Sequence, residues 1–136
     1  MRRRADDQGA AVLEVLVLGV GLLVPLLYGV LTVMSVQSAS YAATAASREA
    51  VRAYVGATTT GEAARRARTA AALVLADAGA PVVRPGLRCV GGCLQPGSRV
   101  DATVTIDVPL PLVPGAPTVT VVGRSSMPVD RYREAP

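Results

Sequence analysis

Histidine, phenylalanine, tryptophan and lysine are all missing from the 136 residues, and cysteine occurs only at Cys89 and Cys93. Without histidine there is no imidazole to act as general base beside a serine or cysteine nucleophile, and none to ligate zinc. Two cysteines are too few for a closed all-thiolate zinc site. The only aromatics are Tyr28, Tyr41, Tyr54 and Tyr132, so no platform exists on which nucleobases stack. The positive charge rests entirely on 14 arginines against 10 acidic residues, a net charge of +4, and the arginines do not form one run. This composition points away from enzymes, cofactors, metals and nucleic acid. One further absence is the most informative: from Val15 to Ser47, 33 consecutive positions, no residue is charged.

The first part of that gap, Val15 to Val36 (VLVLGVGLLVPLLYGVLTVMSV), is almost purely aliphatic. As a helix it extends about 33 Å at ~1.5 Å per residue, which matches a hydrocarbon core of about 30 Å. A buried core helix is the alternative. The remaining chain, lacking Phe and Trp, has little with which to wrap a helix that is apolar on every side. Arg2, Arg3 and Arg4 lie in the short preceding tail, so the positive-inside rule puts the N-terminus in the cytoplasm and residues from about 48 onward outside it. A secretory signal peptide also combines a basic start with an apolar stretch. Here the stretch exceeds the ~7–15 residues of such a core, and Glu14 sits at its beginning. Small residues do follow at 38–46 (SASYAATAA), a place where cleavage would release a secreted protein.

The start of the span reads RRRADDQG-AAVLE-VLVL. This resembles the class III signal of type IV pilins and pseudopilins. The resemblance implies that a prepilin peptidase cuts between Gly9 and Ala10, which makes Glu14 the fifth mature residue, and that Glu14 recruits and registers subunits. A carboxylate within an apolar helix is costly and is by default a functional hypothesis. Cleavage would create an α-amino group on Ala10, which is i, i+4 to Glu14 and so on one helix face with it. An ammonium there neutralises the carboxylate of its own chain or of a neighbour; alternatively, Glu14 merely complements the positive end of the helix.

The longer pattern GAAVLEVLVL…VPLLYGVL…AASREAVRAYV is similar to the TadE-like proteins of tight-adherence (Flp-type) pilus systems, which pair the early glutamate with a proline part-way through the span and carry an Ala-Arg-Glu-Gly-Ala-Arg-like segment beyond it. Pro25 and residues 46–52 fill those places. Two departures are visible: Ala50-Val51 replaces the usual Gly-Ala, and Val15 follows the glutamate where the family has an aromatic. The resemblance covers about residues 9–55. It implies a minor pseudopilin whose partners are the prepilin peptidase, pilin and other pseudopilin subunits, inner-membrane pilus assembly proteins and membrane lipid. Gly21, Pro25 and Gly29 recur every four residues. Pro25 cannot donate to the carbonyl of Gly21 and is expected to bend the helix, while small residues at this spacing favour close helix packing in membranes.

Beyond the span the pattern predicts continued helix to about Tyr54, with Glu49 and Arg52 pairing at i, i+3. A second helix is expected from about Gly61 to Ala78, opened by Thr59 and Glu62 at capping-box spacing and closed by Gly79 and Pro81. Its apolar face is read as Ala63, Ala67, Ala70, Val74 and Ala78, with Leu73 and Leu75 beside it. Arg65, Arg66 and Arg68 form either a solvated face or a contact for lipid headgroups or a partner. Cys89 and Cys93, in an oxidising extracytoplasmic setting, are expected to form a disulfide around a glycine-containing loop. Strict alternation from Arg99 to Val108 predicts a half-buried strand with Val100, Ala102, Val104, Ile106 and Val108 inward. A second strand begins at Thr118, with Val119 and Val121 on one face and Met127 and Val129 continuing it. The prolines of PLPLVPGAP (109–117) exclude a central strand and read as the connection of a long hairpin.

The expected fold class is therefore α+β, with a single transmembrane helix extended outside the membrane, a short second helix and a small antiparallel β-hairpin domain. The expected divisions are a cleaved leader (1–9), the transmembrane helix (10–36), a helical extracytoplasmic segment (37–79), and a disulfide loop with the hairpin domain (80–136). The expected function is assembly of a tight-adherence pilus or related secretion apparatus by a membrane-anchored, non-enzymatic subunit. The alternatives are a secreted small protein with an atypical signal peptide and an unprocessed membrane-anchored binding protein.

Overall fold

The computed structural model describes residues 3–110 and 118–132, with side chains in the first helix described from Val12 onward. The elements are α1 (Arg3–Val55), α2 (Thr60–Asp77), β1 (Gly86–Val90), β2 (Arg99–Pro109) and β3 (Thr118–Pro128). The chain forms two compact units, divided between Met34 and Ser35. α1 contributes its apolar part to the first unit and its alanine-rich part to the second.

α1 is helical throughout, including Pro25. The apolar run gives way at residue 35 to an alanine-rich stretch that continues the helix as expected, although its serine and threonine hydroxyls can compete for backbone groups. Here they bond within the helix. Thr32 Oγ1 donates to the Tyr28 carbonyl at 2.9 Å, Ser40 Oγ to Val36 at 2.8 Å, Thr44 Oγ1 to Ser40 at 2.9 Å and Ser47 Oγ to Thr44 at 2.8 Å.

The boundaries of α2 follow from its capping chemistry. Thr59 is the N-cap, in extended backbone, and its hydroxyl accepts from Glu62 N at 3.3 Å. The reciprocal half of the box is displaced by one residue, for the Glu62 carboxylate accepts from Thr58 N at 3.4 Å and Thr58 Oγ1 at 2.8 Å. At the other end Gly79 adopts φ +64°. Its N–H donates to Ala76 O, and that of Ala80 donates to Leu75 O, the paired bonds of a Schellman ending. The buried stripe runs Ala63, Ala67, Ala71, Leu75, a strict i, i+4 row. The expected face through Ala70, Val74 and Ala78 is corrected accordingly: Ala70 and Val74 are half-buried and Ala78 is exposed. Leu73 is 61 % exposed.

The sheet is a three-stranded antiparallel meander in the order β1-β2-β3. β2 and β3 form the expected hairpin, in register from Arg99↔Pro128 to Pro109↔Thr118. Residues 111–117, which hold most of the proline-rich connection with Leu112 and Val113, lie outside the described residues. β1 is a third strand that sequence patterning missed. It has five residues, only Leu87 and Cys89 of which turn toward the core, and both are half-buried. All five expected inward residues of β2 are buried. On β3, Val121 and Gly123 are buried, while Val119 near the strand's start is 37 % exposed.

One hydrophobic cluster joins the inner sheet face to both helices. Ten of its 20 buried residues are alanines (Ala39, Ala42, Ala43, Ala46, Ala50, Ala57, Ala63, Ala67, Ala71 and Ala102). Such a core cannot be filled by large side chains reaching across a gap, so the elements must approach closely. The closest approach is at Gly123, where an added Cβ would overlap the carbonyl of Ala43 and the amide of Thr44. Glycine is disfavoured inside strands; here it marks where the α1 backbone lies on the sheet. The Gly123→Ala variant is therefore expected to lose about 2–3 kcal/mol of stability, read from denaturant unfolding of the full chain in detergent micelles. An unchanged midpoint would mean that the helix does not sit on this strand.

Candidate functional site

Among the described residues of the first unit, from Val12 to Met34, none is buried. From Val12 to Leu27 every large apolar side chain leaves more than half its surface exposed, and 16 such side chains are exposed between Val12 and Met34. Water-facing apolar surface on that scale is not tolerated by soluble monomers, whose patches reach a few hundred Å². The helix is long and apolar enough to cross a membrane, and none of its apolar window is buried. Gly9 and Ala10 lie inside α1. Glu14 is exposed among these apolar side chains. An added Cβ at Gly21 or Gly29 would meet nothing within 4 Å. These two glycines and Pro25, one helical turn apart, therefore line an unoccupied surface rather than an internal contact.

In the second unit Cys89 and Cys93 form a disulfide, with Cα atoms 5.2 Å apart. The intervening Gly91 and Gly92 adopt φ +83° and +103°, and Leu94 adopts φ +62°. A non-glycine residue in this region costs about 1 kcal/mol, and Leu94 offsets it by burying its side chain to 1 % exposure. The turn that follows is joined to the end of β3: Gly97 N donates to Val129 O, and Val129 N donates to Ser98 O at 2.8 Å. Tyr54, in the last turn of α1 and 5 % exposed, brings its hydroxyl to 3.6 Å from Cys89 Sγ. The disulfide corner therefore closes the end of the core beside α1.

Four charged residues of the two helices, Glu49, Arg52, Arg65 and Arg66, line one groove. Its walls are Glu49, Arg52, Ala53 and Gly56 from α1 and its end, and Arg65, Arg66, Thr69, Ala70 and Leu73 from α2. It is an open depression of about 710 Å³. Arg66 pairs with Glu62 at 2.6 Å, one turn away, and Arg52 approaches Glu49 at 3.8 Å with its side chain 74 % exposed. The hydrogen bond from the Thr58 hydroxyl, with the Thr58 amide and the Arg66 charge assisting, holds the Glu62 carboxyl below its ordinary range. Arg68, which the sequence groups with Arg65 and Arg66, is exposed and does not line this groove. A second, polar depression lies on the outer sheet face, where Arg88 and Arg124 flank Asp101 on adjoining strands. Among the described residues no three His, Cys, Asp or Glu side chains gather as metal ligands would.

Sequence reasoning did not find the groove, because its residues come from two helices and look like solvated helix surface when read singly. The one signal available was Leu73, an apolar residue off the buried row. Replacing both cysteines by serine (Cys89→Ser with Cys93→Ser) opens a loop of five residues. In the chain-entropy picture this costs about 2 kcal/mol. Faster amide exchange is expected over residues 89–98, with both helices intact by circular dichroism; general loss of protection would make the disulfide a determinant of the whole domain.

No family model, no curated protein and no solved structure matches this chain.

Proposed function

We propose that the chain is a membrane-anchored minor pseudopilin of the TadE-like kind, an assembly subunit of a tight-adherence pilus or related secretion apparatus. The observation that carries this reading is Glu14 placed five residues after Gly9, at the head of an apolar helix that nothing covers. On this reading the N-terminus is cytoplasmic, prepilin peptidase removes residues 1–9, and the domain from Ser35 onward is extracytoplasmic, where its disulfide is stable. The open surface around Gly21, Pro25 and Gly29 then meets helices of pilin or other pseudopilin subunits. The role is structural: the chain is the substrate of a peptidase and the partner of pilins and inner-membrane assembly proteins.

The alanines at 39–46 favour a retained helix over a secreted protein. Ala39, Ala42, Ala43 and Ala46 are buried in the domain core. A cut near residue 45 would remove three of them and expose the surface of β3 on which Ala43 rests.

N-terminal sequencing of the membrane-extracted protein is expected to begin at Ala10. Gly9→Leu should leave a visibly heavier precursor on a gel, and normal processing of that variant would reject the cleavage site. Glu14→Leu should insert and be processed normally yet lose piliation, scored by electron microscopy of complemented cells. Full piliation would reduce Glu14 to an interfacial residue.

A further inference from the structure

We infer that the groove between the end of α1 and the outer face of α2 is a docking site for an acidic amphipathic helix of another protein. The inference stands apart from leader processing and from the pilus reading, since it rests on the second unit alone. Three observations carry it. First, α2 satisfies the core with Ala63, Ala67, Ala71 and Leu75, so Leu73, on a different face and 61 % exposed, has no internal role. Second, the positions between the charged walls are small: Ala53, Gly56 and Ala70. Small residues between two neighbouring helices let a third backbone approach closely, while Leu73 offers the apolar anchor that a helix laid in a groove requires. Third, the walls carry Arg52, Arg65 and Arg66 but only Glu49 in return. Arg66 is engaged by Glu62 and Arg52 only loosely by Glu49. Among the described residues Arg65 makes no ion pair; its guanidinium lies near Gly61, and its charge acts on the Glu62 carboxylate without pairing with it. Planar guanidinium groups select carboxylates with geometric preference. The fitting occupant thus carries leucine-like side chains on one face, flanked by Asp or Glu.

The second unit of another copy does not supply such a helix. The acidic residues described in this unit are Glu49, Glu62, Asp77, Asp101, Asp107 and Asp130, and no two lie within a helical turn of each other. Anionic lipid would also satisfy the arginines, but it makes no use of the small positions Ala53, Gly56 and Ala70, and it is an outcome of the test.

The test uses the full chain in zwitterionic nanodiscs and a panel of fluorescent designed helices about four turns long. Each has leucines at i, i+3 and i+7, and the leucine stripe is shifted across the panel; the flanks are glutamate or, in the controls, lysine. At least one acidic peptide is expected to bind, with amide shifts confined to the groove and affinity falling with salt. Arg52→Glu with Arg65→Glu, and separately Leu73→Ser, are each expected to weaken binding by about tenfold or more. These side chains are exposed, so the variants should keep the parent's circular dichroism spectrum and unfolding midpoint. A variant that loses either is replaced by Arg65→Gln, for which a weaker fall of the same sign is expected. The inference is overturned if no acidic peptide binds, if lysine peptides bind equally well, or if the substitutions leave affinity unchanged. It is also overturned if the groove shifts appear on adding anionic lipid without peptide, or if Arg65→Glu dissolves a dimer of the chain itself.

Discussion

The domain depends on one contact between main chains, α1 lying on β3 where Gly123 meets Ala43. With no Phe or Trp and ten alanines in the cluster, apolar area is buried here by proximity. Close packing at interior density gains dispersion contacts that a gap of even a fraction of an ångström forfeits. Gly123 lets the helix descend, the alanine row keeps it down, and the alternating valines of β2 complete the floor. The same demand explains why Ser47 can be fully buried: its hydroxyl bonds to the Thr44 carbonyl of its own helix and asks nothing of the sheet.

Much of this was legible in the residues, and the failures have physical causes. β2 declared itself through five alternations, because one of its faces is buried along its whole length. α2 declared its ends through Thr59, Glu62 and Gly79, whose chemistry is local. Its buried row was misplaced by one residue, toward Ala70 and Val74, because a helix made largely of alanine presents several nearly equivalent apolar rows, and the sheet and α1 choose among them. β1 was invisible because a five-residue edge strand half covered by the core leaves only Leu87 and Cys89 as signal. Gly123 was readable only as an oddity within a strand, since its partner stands 80 positions earlier in the chain. Of the candidate positions, Gly9, Ala10, Glu14, Gly21, Pro25 and Gly29 could be proposed from the residues because they fall within one short stretch of sequence. The groove was not, because it exists only once α1 and α2 are side by side.

The two units solve opposite problems with one helix. From Val12 to Met34 it exposes large aliphatic side chains and buries none; from Ala39 it buries small ones against the sheet. Nothing in the backbone marks the change, and helix hydrogen bonding runs through both parts, aided by hydroxyls that bond back to the preceding turn. The exchange of leucine for alanine alone determines whether a stretch of α1 needs an external apolar environment or supplies an internal one. On the proposed reading, that exchange is where a membrane segment becomes a domain wall.

β3 terminates the sheet, and its outer rim runs for 11 residues. Natural sheets blunt such rims with lysine, proline or inward-pointing charge. This rim has no lysine, and its one charge is Arg124, with Pro128 only at its far end. A version of the chain cut free of residues 1–34 would thus lose its greasy helix yet keep an adhesive border, open to strands from neighbouring copies at high concentration. Solubility by truncation would require a second alteration, such as a charged side chain in place of Val122, which is 47 % exposed and lies on the face turned away from the helices.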